Sequence, residues 1–142
     1  MIYQVTASNR DGIDGVVTLS SGKEVETSHP LNDLPGFNPE ELMGLAWSTC
    51  LNATLQALME RELKPTPKSQ VDVEVTLVSE GLGHGYAFHL HARATIQGLS
   101  LEQAQKYVEA AHKRCPISKL IQASPTIHLE TVEWGALSSS KD

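Results

Sequence analysis

Hydrophobic and polar positions alternate most regularly in Val71-Asp72-Val73-Glu74-Val75-Thr76-Leu77, the period-two pattern of a half-buried β-strand. Tyr86 to Ile96 reads as a second strand, and the glycine-rich turn Gly81 to Gly85 joins the two into a hairpin. Near the start, Ile2 to Ser8 is β-branched and alternating, and reads as a strand. Asn9-Arg10-Asp11-Gly12 is a turn, with Asp-Gly its strongest part. Val16 to Leu19 and Glu24 to Ser28, separated by Ser20-Ser21-Gly22-Lys23, complete a β-meander. His29 to Phe37 is irregular, punctuated by Pro30, Pro35 and Gly36. Pro125 to Trp134 reads as a closing strand, and Ser138 to Asp142 as a frayed tail.

Three helices interrupt the strands. Asn38 is an N-cap, Pro39 suits the first helical position, Glu40 and Glu41 complement the positive helix end, and Glu41 stands at capping-box distance. This helix predicts a run to about Glu62, before the Lys64-Pro65-Thr66-Pro67 break. From Leu42 to Leu58 it is apolar or small almost all round, which predicts burial on most sides, under sheet and under a second subunit. Ser100, with Gln103 at capping-box distance, starts a helix to about Arg114. Cys115-Pro116 opens a short third helix through Ile121. The predicted class is α+β, with helices segregated against antiparallel sheet, in a single domain over residues 1–142.

Length and composition agree: 142 residues suffice for one core, and 40% hydrophobic with 20% charged residues is ordinary for a globular chain. A net charge of −6 argues against nucleic acid or an anionic membrane as partner. The first residues lack the basic-then-apolar pattern of a signal peptide, and no apolar run approaches the ~18 residues of a membrane span. The expected location is cytoplasmic, where two cysteines do not form a standing structural disulfide. They are buried filler, metal ligands or reactive thiols.

Cys50 lies in the most buried helix and reads first as a small hydrophobe. Cys115, before Pro116 at a helix start, sits where free backbone N–H groups and the helix dipole favour a thiolate, and by surroundings alone it ranks first as nucleophile. His112, Cys115, His89 and His91 could together supply zinc ligands, although no CxxC pair exists. A papain-like Cys–His hydrolase has no nucleophile motif to support it.

In combination these features are more specific. Gly36-Phe37-Asn38-Pro39-Glu40-Glu41-Leu42 leads into a helix carrying Ser48-Thr49-Cys50, and Ala111-His112-Lys113-Arg114-Cys115-Pro116-Ile117-Ser118 ends the next. With the Asn9–Gly12 turn, they resemble the organic hydroperoxide resistance (Ohr) and osmotically inducible protein C (OsmC) family over about Tyr3 to Val132. The resemblance implies a cysteine-based peroxidase without cofactor or metal, and an intertwined homodimer with its long helices at the centre. Carried over by position, Cys50 is the peroxide-attacking cysteine, Cys115 the resolving one, and Arg10 and Glu40 the activating pair. That reverses the ranking by helix-end electrostatics; Arg10 would supply the cation that lowers the Cys50 pKa despite burial.

Ten helical residues rise about 15 Å and leave Glu40 roughly 80° round from Cys50, so the two cannot meet within one regular helix. The expectation is a composite site: Cys50 and Cys115 from one chain, Glu40 and Arg10 from the partner. The resemblance further implies a Cys50 sulfenic acid, a Cys50–Cys115 disulfide, and reopening by an external dithiol such as a dihydrolipoyl protein. Trp47, Leu51, Ile117 and Leu120 are the expected lining of an apolar pocket for organic hydroperoxides. Asp33-Leu34-Pro35-Gly36-Phe37 replaces the glycine-rich segment of the Ohr branch, and Cys115-Pro116-Ile117 lacks its tyrosine, whereas Arg10-Asp11-Gly12 leans back toward Ohr. The branch stays open, as do a redox sensor and a small-molecule-binding dimer of the same fold.

Overall fold

A computed structural model describes residues 1–137. The tail expected to fray, residues 138–142, lies outside the described residues. The chain forms two compact units, Met1–Leu42 and a second beginning at Met43.

The first unit is a meander of β1 (Ala7–Asn9), β2 (Gly15–Leu19) and β3 (Glu24–Thr27), paired antiparallel in that order. Asn9 closes the first turn with its side chain: its amide donates to the Gly12 carbonyl and its oxygen accepts from the Gly12 N–H, both at 2.8 Å. Gly12 holds φ at +78°, which its missing Cβ permits. β1 is shorter than the alternation from Ile2 suggests. Ile2 to Thr6 are exposed and lie outside the ladder, and β-branched residues favour a pleated strand only where neighbours pack beside them. Gly36 passes so close to the Thr27–Ser28 backbone that a Cβ would stand 2.6 Å from the Thr27 carbonyl carbon.

Helix α1 (Pro39–Glu62) starts with the expected capping box. The Glu41 N–H donates to the Asn38 side-chain oxygen at 2.8 Å, and the Asn38 N–H to the Glu41 carboxylate at 3.0 Å. Trp47, Leu51, Leu55 and Met59, four residues apart, form its buried stripe. Its other side, the one expected to lie under a second subunit, is open in the single chain. Leu45 is 51% exposed there, and Ala46, Thr49, Ala53 and Ala57 are also exposed.

In the second unit β4 (Ser69–Ser79) and β5 (Tyr86–Ile96) form an eleven-residue antiparallel hairpin. Val71, Val73 and Val75 face the core opposite Ala94, Ala92 and Leu90, as the alternation predicts. Helix α2 (Leu101–Arg114) begins with the Ser100–Gln103 capping box, and α3 (Pro116–Ile121) follows it. The last strand, β6 (Ile127–Thr131), is shorter than expected and pairs parallel with β5, so the sheet is mixed rather than wholly antiparallel. The reason is topological: α2 and α3 carry the chain back along the sheet, and such a crossover returns it in the same direction. Trp47, Leu51, Leu55, Met59, Leu90, Ala92, Ile96, Val108 and Cys115 belong to the one core cluster. Each large apolar member contributes about 1.5–3 kcal/mol by leaving water. Among the described residues no helix is long and apolar enough to cross a membrane.

Candidate active site

Two helices carry the cysteines to one place. Cys50 lies a turn beyond Trp47 on α1. Cys115 ends α2 and is also the N-cap of α3, with Pro116 at the first helical position. The thiol of Cys115 lies 3.2 Å from the Cys50 sulfur, although 65 residues separate them, and both cysteines are free. Cys115 is fully buried and Cys50 half-buried, so the more reachable sulfur belongs to Cys50.

Backbone and side-chain donors surround the pair. The Ser118 N–H donates to the Cys115 sulfur at 3.4 Å, and the Ile117 N–H hydrogen-bonds the Cys50 sulfur. Burial pushes the Cys50 thiol above its ordinary pKa, the Ile117 N–H works against that, and the neighbouring Cys115 adds to the rise. Within the second unit Cys50 is therefore held toward the neutral thiol. Beneath the sulfurs the indole N–H of Trp47 donates to the Ser118 hydroxyl at 2.9 Å, both residues being wholly buried. In the sequence Ser118 stands out only as part of the motif Cys115-Pro116-Ile117-Ser118. Its spacing of three from Cys115 at a helix start was the available signal that it faces the same way.

The expected lining residues separate. Trp47 and Leu51 are sealed in the core, Ile117 is half-buried, and Leu120 is 81% exposed. In the first unit, Arg10 is exposed in the β1–β2 turn and Glu40 is half-buried in the first turn of α1. Among the described residues these two form no ion pair with each other within one chain. Nor does any group of three or more His, Cys, Asp or Glu among the described residues stand where it could hold a metal ion, so the zinc alternative is not assembled. His89 and His91 lie on the sheet face opposite the core-facing Leu90 and Ala92.

Residues 31–130 match the family model described as OsmC-like protein. The organic hydroperoxide resistance protein-like 2 of Staphylococcus epidermidis is 25% identical over 134 residues, covering 91% of this chain and 94% of the relative. A crystal structure of a protein from Lactobacillus casei superposes with a TM-score of 0.85 at 37% identity, over 94% of this chain and 92% of that one. The organic hydroperoxide resistance protein OhrB of Bacillus subtilis superposes with a TM-score of 0.78 at 21% identity, over 94% and 99% of the two chains. At that identity the last likeness is one of fold.

Proposed function

The chain belongs to the OsmC-like family and has its α+β fold, and on that premise we propose that it is a cysteine-based peroxidase reducing organic hydroperoxides. The observation that carries this reading is the 3.2 Å approach of the Cys50 and Cys115 sulfurs across 65 residues of sequence. Two thiols that close, one reachable and one sealed, suit an attacking and a resolving cysteine.

In this reading the Cys50 thiolate attacks the outer oxygen of ROOH. The O–O bond breaks, ROH leaves with a proton, and Cys50 becomes a sulfenic acid. The Cys115 thiol then displaces water to form the Cys50–Cys115 disulfide, which shields Cys50 from further oxidation. An external dithiol, of the dihydrolipoyl class by family likeness, reopens the disulfide by exchange and is itself oxidised to a disulfide. Ile117 and Leu120 would be the apolar walls that the organic tail reaches, backed from the core by Trp47 and Leu51.

The raised thiol of Cys50 calls for a cation that its own unit does not place among the influences on it. Arg10 is proposed to supply it, oriented by Glu40, with both residues coming from a second copy in an intertwined homodimer. The exposed side of α1, with Leu45, Ala46, Ala53 and Ala57, supports that dimer as the surface it would cover. A guanidinium donating to the peroxide would both orient it and stabilise charge on the departing oxygen. A cytoplasmic setting, where dithiol reductants are held reduced, suits this cycle.

The test is turnover of tert-butyl hydroperoxide with added dihydrolipoamide. Wild type should consume peroxide catalytically, Cys50→Ser should abolish this, and Arg10→Ala should slow it by a hundredfold or so, the scale of one lost charge-stabilising donor. Disulfide formation without turnover, or activity surviving in Cys50→Ser, would refute the reading.

A further inference from the structure

The two sulfurs are carried by α1 and by the junction of α2 with α3, and α3 is only six residues long. What ties them beneath the thiols is a buried hydrogen bond from the Trp47 indole N–H to the Ser118 hydroxyl, at 2.9 Å. Its position is symmetric about the site. Trp47 stands three residues before Cys50 on α1, and Ser118 three residues after Cys115 in α3. Trp47 and Cys50 are thus one turn apart on the same side of α1, and Ser118 reaches back to its N-cap Cys115 through the backbone N–H, which donates to the sulfur at 3.4 Å. One residue thus touches both the clamp and the thiol. The path Trp47–Ser118–Cys115–Cys50 closes a ring through the α1 backbone. Trp47, Ser118 and Cys115 are all wholly buried, so water cannot replace either partner of the indole bond without opening the core.

We propose that Trp47 and Ser118 are positioning residues whose buried hydrogen bond holds α3 against α1 and so sets the ease with which the Cys50–Cys115 disulfide forms. This inference rests on the reading of Cys50 and Cys115 as a redox couple, and adds to it the residues that fix the couple's spacing. A disulfide needs its sulfurs at about 2.0 Å, so the dithiol state must hold them near contact to spare the chain a large search. The bond does this from within the core, where Trp47 and Ser118 are both wholly buried. Trp47→Phe keeps a ring and removes the N–H; Ser118→Ala removes the acceptor and leaves the indole N–H unpaired. Because one bond is deleted either way, the double variant should shift the equilibrium little beyond the larger single effect.

The experiment is equilibration of the full chain in mixtures of reduced and oxidised dithiothreitol. Cys50 and Cys115 together give up two electrons and two protons to the cyclic dithiothreitol disulfide, which opens to its dithiol. The fraction of protein disulfide is read after acid quench and alkylation. Each single variant should lower the equilibrium constant for disulfide formation by about fivefold, a shift of about 20 mV toward easier reduction. Leu55→Ala, in the same core but away from the clamp, should lose urea stability while keeping the wild-type constant. Singles within twofold of wild type, or a double variant whose shifts multiply, would overturn the proposal. Should Ser118→Ala fail to fold, Trp47→Phe alone decides by the same criterion. The constant is measured without peroxide, so a wild type that forms the disulfide here yet turns over no hydroperoxide would sink the peroxidase reading and leave this test standing.

Discussion

Oxidising the Cys50–Cys115 pair should stabilise the folded chain, and by an amount set by the loop it closes. The cysteines are 65 residues apart. Cross-linking a loop of that length removes about 14 cal/mol/K of entropy from the unfolded chain, or about 4 kcal/mol at 25 °C. Against this stands the cost of drawing the sulfurs from 3.2 Å to a bonded distance in a core that already seals Cys115. That cost is small if α3 slides as a unit, because its six residues move with the sulfur. The net gain should be about 2–4 kcal/mol. Urea unfolding at fixed protein concentration, with and without excess reductant, measures it as a midpoint shift of about 1–2 M for ordinary urea slopes. Cys50→Ser should show no shift. An oxidised chain no more stable than the reduced one would mean that the folded state resists the bond, and would refute the inference that the pair is poised to close.

Other consequences follow from individual contacts. Leu55→Ala removes a wholly buried side chain and should cost about 2–5 kcal/mol in urea unfolding. Ser100→Ala breaks the capping box of α2 and should cost about 1 kcal/mol by the same measurement. Cys115→Ala takes away a neighbour that raises the Cys50 pKa, so the pH midpoint of Cys50 alkylation should fall relative to wild type. Burial lowers the pKa of His112, so the unfolded chain takes up its proton first as the pH falls. Stability should therefore drop below about pH 6.5 until the folded histidine also protonates, and His112→Gln should flatten that drop in urea titrations run at several pH values.

How far the sequence foretold this molecule depended on how local each cause was. Asn38 with Glu41 and Ser100 with Gln103 act within four residues, and both helix starts stand where the capping chemistry places them. The alternation at Val71, Val73 and Val75 settled which face of β4 is buried, because a strand's side-chain period is fixed. Ile2 to Val5 carry the same β-branched signal but lie outside the ladder, and only Thr6 is tied to the meander, through Ser20. The parallel entry of β6 depends on the path of α2 and α3, which no local residue encodes. Apolarity all round α1 fits burial from two directions, and one chain supplies only one of them.

The candidate site divides in the same way. Cys115-Pro116 announced a helix start and its N-cap, a matter of two neighbours. The meeting of Cys115 with Cys50 is a tertiary fact, accessible from sequence only through family likeness. The Trp47–Ser118 bond spans 71 residues and carried no local mark beyond the spacing of each partner from a cysteine.

The most direct measurement is intact-mass and thiol analysis after one equivalent of cumene hydroperoxide. Wild type should lose both thiols and about 2 Da within a single turnover, while Cys115→Ser should stop about 16 Da heavier, with the added oxygen on Cys50. Oxygen appearing on Cys115 in a chain whose Cys50 thiol stays titratable would contradict the account.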